Sequence, residues 1–261
     1  MPWNHIRIIR RDPLCTMVLK RPDVMNALNT AMLSELQAAL DVMTALSGSI
    51  RVLIFTGDGD RAFSVGADIN DMAAMTSEDF EKWLVLNQKF FDKIAALEMP
   101  TIAALNGYTL GGGLEFALAC DLRIAKVGAK LGLPEAKLGV IPGTGGTQRL
   151  TRLVGPGIAK DLIFTGRRVT AEEAMPMGLV NRVVPEESWA QGVEEYAKEI
   201  AANAPISVRG SKVCINAALT KTLEEGYELE RRVNMQCFKS HDFKEGVAAF
   251  KEKRPAVFHC N

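Results

Sequence analysis

Two glutamates and two glycine-rich turns fall within residues 100–153, and their types and order could do chemistry. The stretch reads PTIAALNGYTLGGGLEFALACDLRIAKVGAKLGLPEAKLGVIPGTGGTQRLTRL. The apolar run 101–105 predicts a buried strand ended by the Asn106-Gly107 turn, and Gly111, Gly112 and Gly113 open an apolar helix over 114–122 that carries Glu115. A strand that passes through a glycine turn into a helix leaves backbone N–H groups unpaired at the positive end of the helix dipole. Developing negative charge can be placed there. Glu135 follows in GLPEAKLG, where Gly132, Pro134 and Gly139 argue against a regular helix, and Pro142, Gly143, Gly145 and Gly146 lead into a helix over 147–154. One acid on a helix, one on a loop and amide donors between them are the parts needed for proton transfer beside a carbonyl.

Each of these residues also has a plainer explanation. A triple glycine commonly serves a turn, and Glu115 in a first helical turn complements its own helix dipole. Glu135, followed by Lys137, reads equally as a solvated loop charge. Periodicity leaves both readings open.

A second strand-to-helix turn occurs in RAFSVGADINDM. Residues 63–65 are a short apolar strand broken by Gly66, and Asp68 can cap a helix from Ile69, exposing the amides of Ala67 and Asp68. Ser64 lacks the G-x-S-x-G context of a nucleophile. The only histidines, His5, His241 and His259, lie near the ends of the sequence, which argues against a Ser-His-Asp triad, a Cys-His pair or a His-rich metal site in the centre. Acid and base work falls to carboxylates.

The elements that must position these groups alternate. A hairpin over 6–9 and 14–19 turns at Asp12-Pro13, a helix over 30–46 ends at Gly48, and a strand covers 52–55. A long amphipathic helix over 76–98 carries Phe80, Trp83, Phe90 and Phe91 on its apolar positions, and Pro100 stops it. This alternation predicts an α/β layering with parallel strands. Beyond the centre come a helix over 156–164, a short helix with capping-box spacing at Thr170 and Glu173, and a strand over 179–184. Helices over 186–203, 206–219, 223–239 and 242–253 complete the chain, which divides into an α/β core with the site (1–195) and a helical region (196–261).

Of 261 residues, 48% are hydrophobic and 24% charged, the proportions of an ordinary globular protein. Thirty-one basic residues balance 31 acidic ones, which removes the electrostatic argument for nucleic acid or an anionic membrane as partner. The 5 cysteines are scattered and include no C-x-x-C pair, arguing against a disulfide framework or zinc site and for a reducing compartment. No apolar run reaches membrane-spanning length, and residues 1–11 lack the apolar core of a signal peptide. A cytoplasmic location is expected.

Five motifs taken in order, AFSVGADI, NGYTLGGGLEFALACDLRIA, PEAKLGVIPGTGGTQRLTRLVG, AMPMGLVNRVVP and AFKEKRPAVF, resemble the enoyl-CoA hydratase (crotonase) family over about residues 5–258. The resemblance implies the α/β crotonase fold, a spiral of ββα units followed by a C-terminal helical region used for trimerisation and active-site cover, in trimers or hexamers. It also implies reversible syn hydration of 2-enoyl-CoA thioesters to 3-hydroxyacyl-CoA, within fatty acid and lipid metabolism. In that family the thioester oxygen lies between two amides that match Ala67 and Gly112. The acid/base pair matches Glu115, which takes a proton from water as it attacks C3, and Glu135, which delivers a proton to C2. Substrate and CoA contacts match Val65, Ala67, Asp68, Ile69, Asn70, Gly112, Gly143, Phe250 and Lys253. No metal or redox cofactor is implied, because CoA arrives with the substrate. Retention of both glutamates favours hydration over Δ3-Δ2 enoyl-CoA isomerisation and over a non-catalytic acyl-CoA- or RNA-binding relative. A glycosidase with paired carboxylates would not need two amide-donor turns.

Overall fold

β1 (Ile6–Arg11) and β2 (Leu14–Leu19) form the expected antiparallel hairpin, with Ile6 opposite Leu19. The structure is a computed structural model and describes residues 3–46 and 48–261. α1 (Thr30–Ala45) starts at Asn29, whose side chain accepts the Met32 amide, and buries Met32, Leu36, Ala39, Leu40 and Met43. β3 (Val52–Gly57) and β4 (Ala62–Ser64) precede α2 (Ile69–Ala73), which Asp68 caps as its sequence suggests. α3 (Ser77–Ala95) opens with a capping box between Thr76 and Asp79. Then come β5 (Thr101–Leu105), β6 (Tyr108–Leu110), α4 (Gly112–Ala119), β7 (Leu122–Lys126), β8 (Lys130–Gly132) and α5 (Gly146–Thr165). β9 (Val169–Thr170), α6 (Ala171–Ala174), β10 (Arg182–Val184), α7 (Trp189–Ala201), α8 (Pro205–Ala217), α9 (Leu223–Lys239) and α10 (His241–Glu252) complete the chain.

The strands form two sheets, ordered β1-β2-β3-β5-β7-β10 and β4-β6-β8-β9. Each successive pair, β3 with β4, β5 with β6 and β7 with β8, sends its first strand to the larger sheet and its second to the smaller. A helix follows each pair, so the repeated unit is ββα and the chain climbs as a spiral of the crotonase type. Within the larger sheet β2, β3, β5, β7 and β10 run parallel, as the alternation predicts.

Side chains alternate across that sheet. Leu53 and Phe55 of β3, Ala103 and Leu105 of β5 and Ala125 of β7 join the main core with residues of α1, α3 and α4. Val52, Ile54, Ile102, Ala104 and Ile124 face the other way and pack with Tyr196, Ala197 and Ala201 of α7. Both faces are thus covered, as parallel strands require. No helix among the described residues is long and apolar enough to cross a membrane.

The structure corrects several boundaries. The helix expected over 114–122 spans Gly112–Ala119 instead, and Leu122 belongs to β7. An apolar strand buried on both faces has no alternation, so its sequence continues that of a buried helix. β6, β8 and β9 are two or three residues long, too short to show a period. Gly155, at φ 79° and ψ 160°, breaks α5 into the two helices read from the sequence. Residues Glu135–Leu138 form a 3-10 turn, consistent with the absence of a regular helix there.

Candidate active site

α4 is buried on every side from Gly113 to Ala119, and its rotation is fixed by Phe116. That ring packs against Phe55, Phe63, Phe90 and Phe91, with centroids 5.1 to 5.7 Å away. At the C-terminal end of α4 the buried Arg123 guanidinium donates to the carbonyls of Ala117 (3.2 Å) and Cys120 (3.0 Å), complementing the helix dipole. Residues adjacent in a helix point about 100° apart. With Phe116 held in the core, Glu115 is turned toward the loop that precedes α5.

Glu115 is 3% exposed. Its Oε1 accepts the backbone N–H of Thr144 at 2.8 Å and of Gly146 at 2.7 Å, and its Oε2 accepts the Thr144 hydroxyl. Gly146 is the first residue of α5. The carboxylate therefore sits at the N-terminus of α5, while the residue itself lies in the first turn of α4, so the plainer reading holds and a second helix start is added to it.

Glu135 stands at the start of the 3-10 turn, and it is no solvated loop charge. Part of the residue reaches the surface, while its Oε2 is buried and has no hydrogen-bond partner among the described residues. Burial pushes its carboxyl up to about 7; its own backbone amide opposes that shift and the charge of Glu115 adds to it. Gly111 joins the two acids. Its carbonyl accepts the Glu115 amide at 3.0 Å, and a Cβ at Gly111 would stand 3.2 Å from Oε1 of Glu135. The φ of Gly111 is +53° at ψ −131°, a conformation closed to side-chain-bearing residues.

The two amide-donor turns meet beside these acids. A Cβ on Gly66 would fall 2.6 Å from the Gly112 nitrogen, and one on Gly112 would fall 3.5 Å from the Ala67 nitrogen. Ala67 forms a parallel bridge with Leu28, in which Leu28 N–H donates to Gly66 and Asp68 N–H donates to Leu28. In such a bridge the central residue's own N–H points to the opposite side. The Ala67 N–H therefore faces away from Leu28, and the Gly112 N–H, at the first position of α4, has no partner within its helix. Both residues are half-buried. Two free donors beside two carboxyls can hold an oxyanion while protons move.

The remaining sequence candidates divide by location. Val65 precedes the donor turn and ties it to Met25 through its N–H. The Asp68 side chain accepts the Asn70 amide and pairs with Arg21 at 3.0 Å, while Ile69 and Asn70 are exposed beyond it. Gly143 lies in the loop around Glu115. Phe250, 86% exposed, and Lys253 lie at the end of α10 and share no hydrogen bond or ion pair with the site among the described residues. No group of three or more His, Cys, Asp or Glu residues among the described residues is placed to hold a metal ion.

Sequence reasoning missed Thr144 and the Gly146 amide. Their signal was available: a small polar residue between glycines, just ahead of a helix start, is where donors for a carboxylate gather.

Comparison with known proteins shows the family of the chain. The family model described as Enoyl-CoA hydratase/isomerase matches residues 10–261. The chain is 42% identical over 260 residues to the crotonyl-CoA hydratase of Syntrophomonas wolfei subsp. wolfei, covering 99% of each protein. It is 39% identical over 254 residues to the short-chain-enoyl-CoA hydratase of Clostridium acetobutylicum, covering 97% of each. The crystal structure of enoyl-CoA hydratase from Bacillus anthracis superposes with a TM-score of 0.96 at 40% identity, covering 99% of this chain and 100% of that one. On the family match, the full-length relatives and the shared fold, this chain belongs to the enoyl-CoA hydratase/isomerase family.

Proposed function

We propose that this chain catalyses the reversible hydration of 2-enoyl-CoA thioesters to 3-hydroxyacyl-CoA. The observation that carries the reading is a pair of carboxyls, coupled by charge, in different states of support. Glu115 is an acceptor for three donors, and Glu135 has a buried oxygen without a partner.

The thioester oxygen of the substrate is held by the N–H groups of Ala67 and Gly112. Their field stabilises the enolate that forms when water adds at C3, a contribution of roughly 3 to 4 kcal/mol per donor. Glu115 accepts the proton of that water. Glu135, whose burial keeps a proton on it up to about pH 7, delivers that proton to C2. Dehydration runs the same steps backward. A Δ3-Δ2 isomerase would need only one acid/base group, and the firmly held Glu115 favours hydration as the main reaction.

The CoA portion is assigned to Val65, Ala67, Asp68, Ile69 and Asn70 and the neighbourhood of the reacting water to Gly143, with Phe250 and Lys253 serving a neighbouring subunit. Self-association is supported by the apolar side chains left open on the last helices, among them Leu223 (71% exposed), Phe238 (58%) and Phe250 (86%). A trimer or a pair of trimers would cover them, and the 196–261 region would then serve assembly. Light scattering on the purified protein tests this, and a monomer at micromolar concentration would refute it.

The activity is tested by following the absorbance of the conjugated thioester when the protein meets crotonyl-CoA. Loss of that absorbance with formation of 3-hydroxybutyryl-CoA is expected. An inert protein, on crotonyl-CoA and on longer or branched 2-enoyl-CoAs, would overturn the proposal.

A further inference from the structure

The loop that holds Glu115 is itself held from outside by one face of α3. Gln88 Nε2 donates to the Gly143 carbonyl at 2.8 Å, and the N–H at the other end of that same peptide, belonging to Thr144, donates to Glu115 Oε1 at 2.8 Å. A peptide unit is planar, so its oxygen and its hydrogen cannot be oriented independently. Gln88 and Glu115 grip the two ends of one rigid plane. A donor at the carbonyl also polarises the peptide and strengthens its N–H as a donor.

Two further residues on the same face of α3 reach this loop. Leu84 packs against Gly143 so closely that a Cβ there would fall 2.7 Å from Leu84 Cδ2. Asp92 pairs with Arg149 at 2.6 Å, and Arg149 donates to the Thr144 carbonyl at 3.2 Å. Residues 84, 88 and 92 follow one another at i, i+4 spacing, a single stripe along the helix.

We propose that Gln88 is a positioning residue for Glu115, acting through the Gly143–Thr144 peptide. It touches no reacting atom. Its removal leaves the loop packed by Leu84 and by the Asp92–Arg149 pair but frees the peptide to rock, so the carboxylate loses its fixed direction toward water. This inference rests on the reading of Glu115 as an acid/base group.

The test is a cycle of Gln88→Leu, Glu115→Gln and the double variant, with kcat and KM for crotonyl-CoA and the thermal unfolding midpoint measured for each. Gln88→Leu keeps the side chain's bulk and removes the donor. It is expected to lower kcat about 3- to 10-fold, with KM within about 2-fold and the unfolding midpoint unchanged. In the Glu115→Gln background, where there is no carboxylate to direct, it is expected to cost nothing more. Wild-type kcat in Gln88→Leu would overturn the inference, as would an equal fold-loss in both backgrounds, and either leaves the reading of Glu115 standing. Wild-type kcat in Glu115→Gln would instead remove that reading, and the inference with it.

Discussion

Thr144 holds both oxygens of Glu115, its backbone N–H donating to Oε1 at 2.8 Å and its hydroxyl to Oε2. One residue therefore fixes the plane of the carboxylate as well as its position. Removing the hydroxyl while keeping the backbone donor separates the two contributions. Thr144→Val is expected to lower kcat about tenfold, the loss of one hydrogen bond to a charged group, while Thr144→Ser stays within about 2-fold of wild type. Steady-state kinetics on crotonyl-CoA checks this. A loss in Thr144→Ser with wild-type turnover in Thr144→Val would instead assign the role to the methyl group and the packing around it.

A second expectation concerns pH. In the proposed hydration the pair works with one proton, and Glu135, pushed up to about 7 by burial, gives it up as pH rises through that value. The hydration kcat/KM should therefore fall on the alkaline side with a midpoint near pH 7. The dehydration kcat/KM should fall in the same way. The overall reaction takes up no net proton, so both directions pass through the same singly protonated pair. A profile flat from pH 6 to 8.5 would contradict the assignment.

The same group makes an opposite statement about stability. The folded-state value of Glu135, about 7, lies above its ordinary 4.5. Its contribution is fully present below 4.5 and is lost as pH rises through about 7, where a charge must be buried. Glu135→Gln removes that charge. The variant is expected to match wild type near pH 4 and to exceed it by roughly 1 to 3 kcal/mol at pH 8.5. Thermal unfolding at the two pH values reads this as a rise of about 2 to 4 °C per kcal/mol. A variant less stable than wild type at pH 8.5 would show that the buried oxygen is better supported than the structure indicates.

The donor pair is tested at Gly66. An alanine there would place its Cβ 2.6 Å from the Gly112 nitrogen and force a side chain onto a φ of +88°. Displacing one oxyanion donor is expected to lower kcat by about 10² to 10³. Circular dichroism should show an unchanged secondary structure. Wild-type turnover by Gly66→Ala would remove Ala67 and Gly112 from the mechanism.

Legibility in the sequence followed how local each signal was. Glu115 stood out because it is the one charge on an otherwise apolar helix, and Gly66 and Gly111 because each interrupts a strand before a helix. The capping box at Thr170 and Glu173 was readable for the same reason, since both partners lie within one turn. Thr144 meets a partner 29 residues away, and Gln88 meets one 55 residues away. Nothing in a local window forces those meetings; the spiral brings them about by stacking ββα units. The short strands β6, β8 and β9 failed for a related reason, because two or three residues carry no period and their pairing is wholly long-range.

In the proposed reaction Glu115 and Glu135 together move the protons of a hydration. The most direct measurement is the rate of crotonyl-CoA hydration by Glu115→Gln and Glu135→Gln beside wild type, with binding of a non-reactive acyl-CoA measured in all three proteins. Both variants are expected to fall by about a hundredfold or more in kcat, with acyl-CoA affinity within a few-fold of wild type. Either variant turning over crotonyl-CoA near the wild-type rate would contradict it.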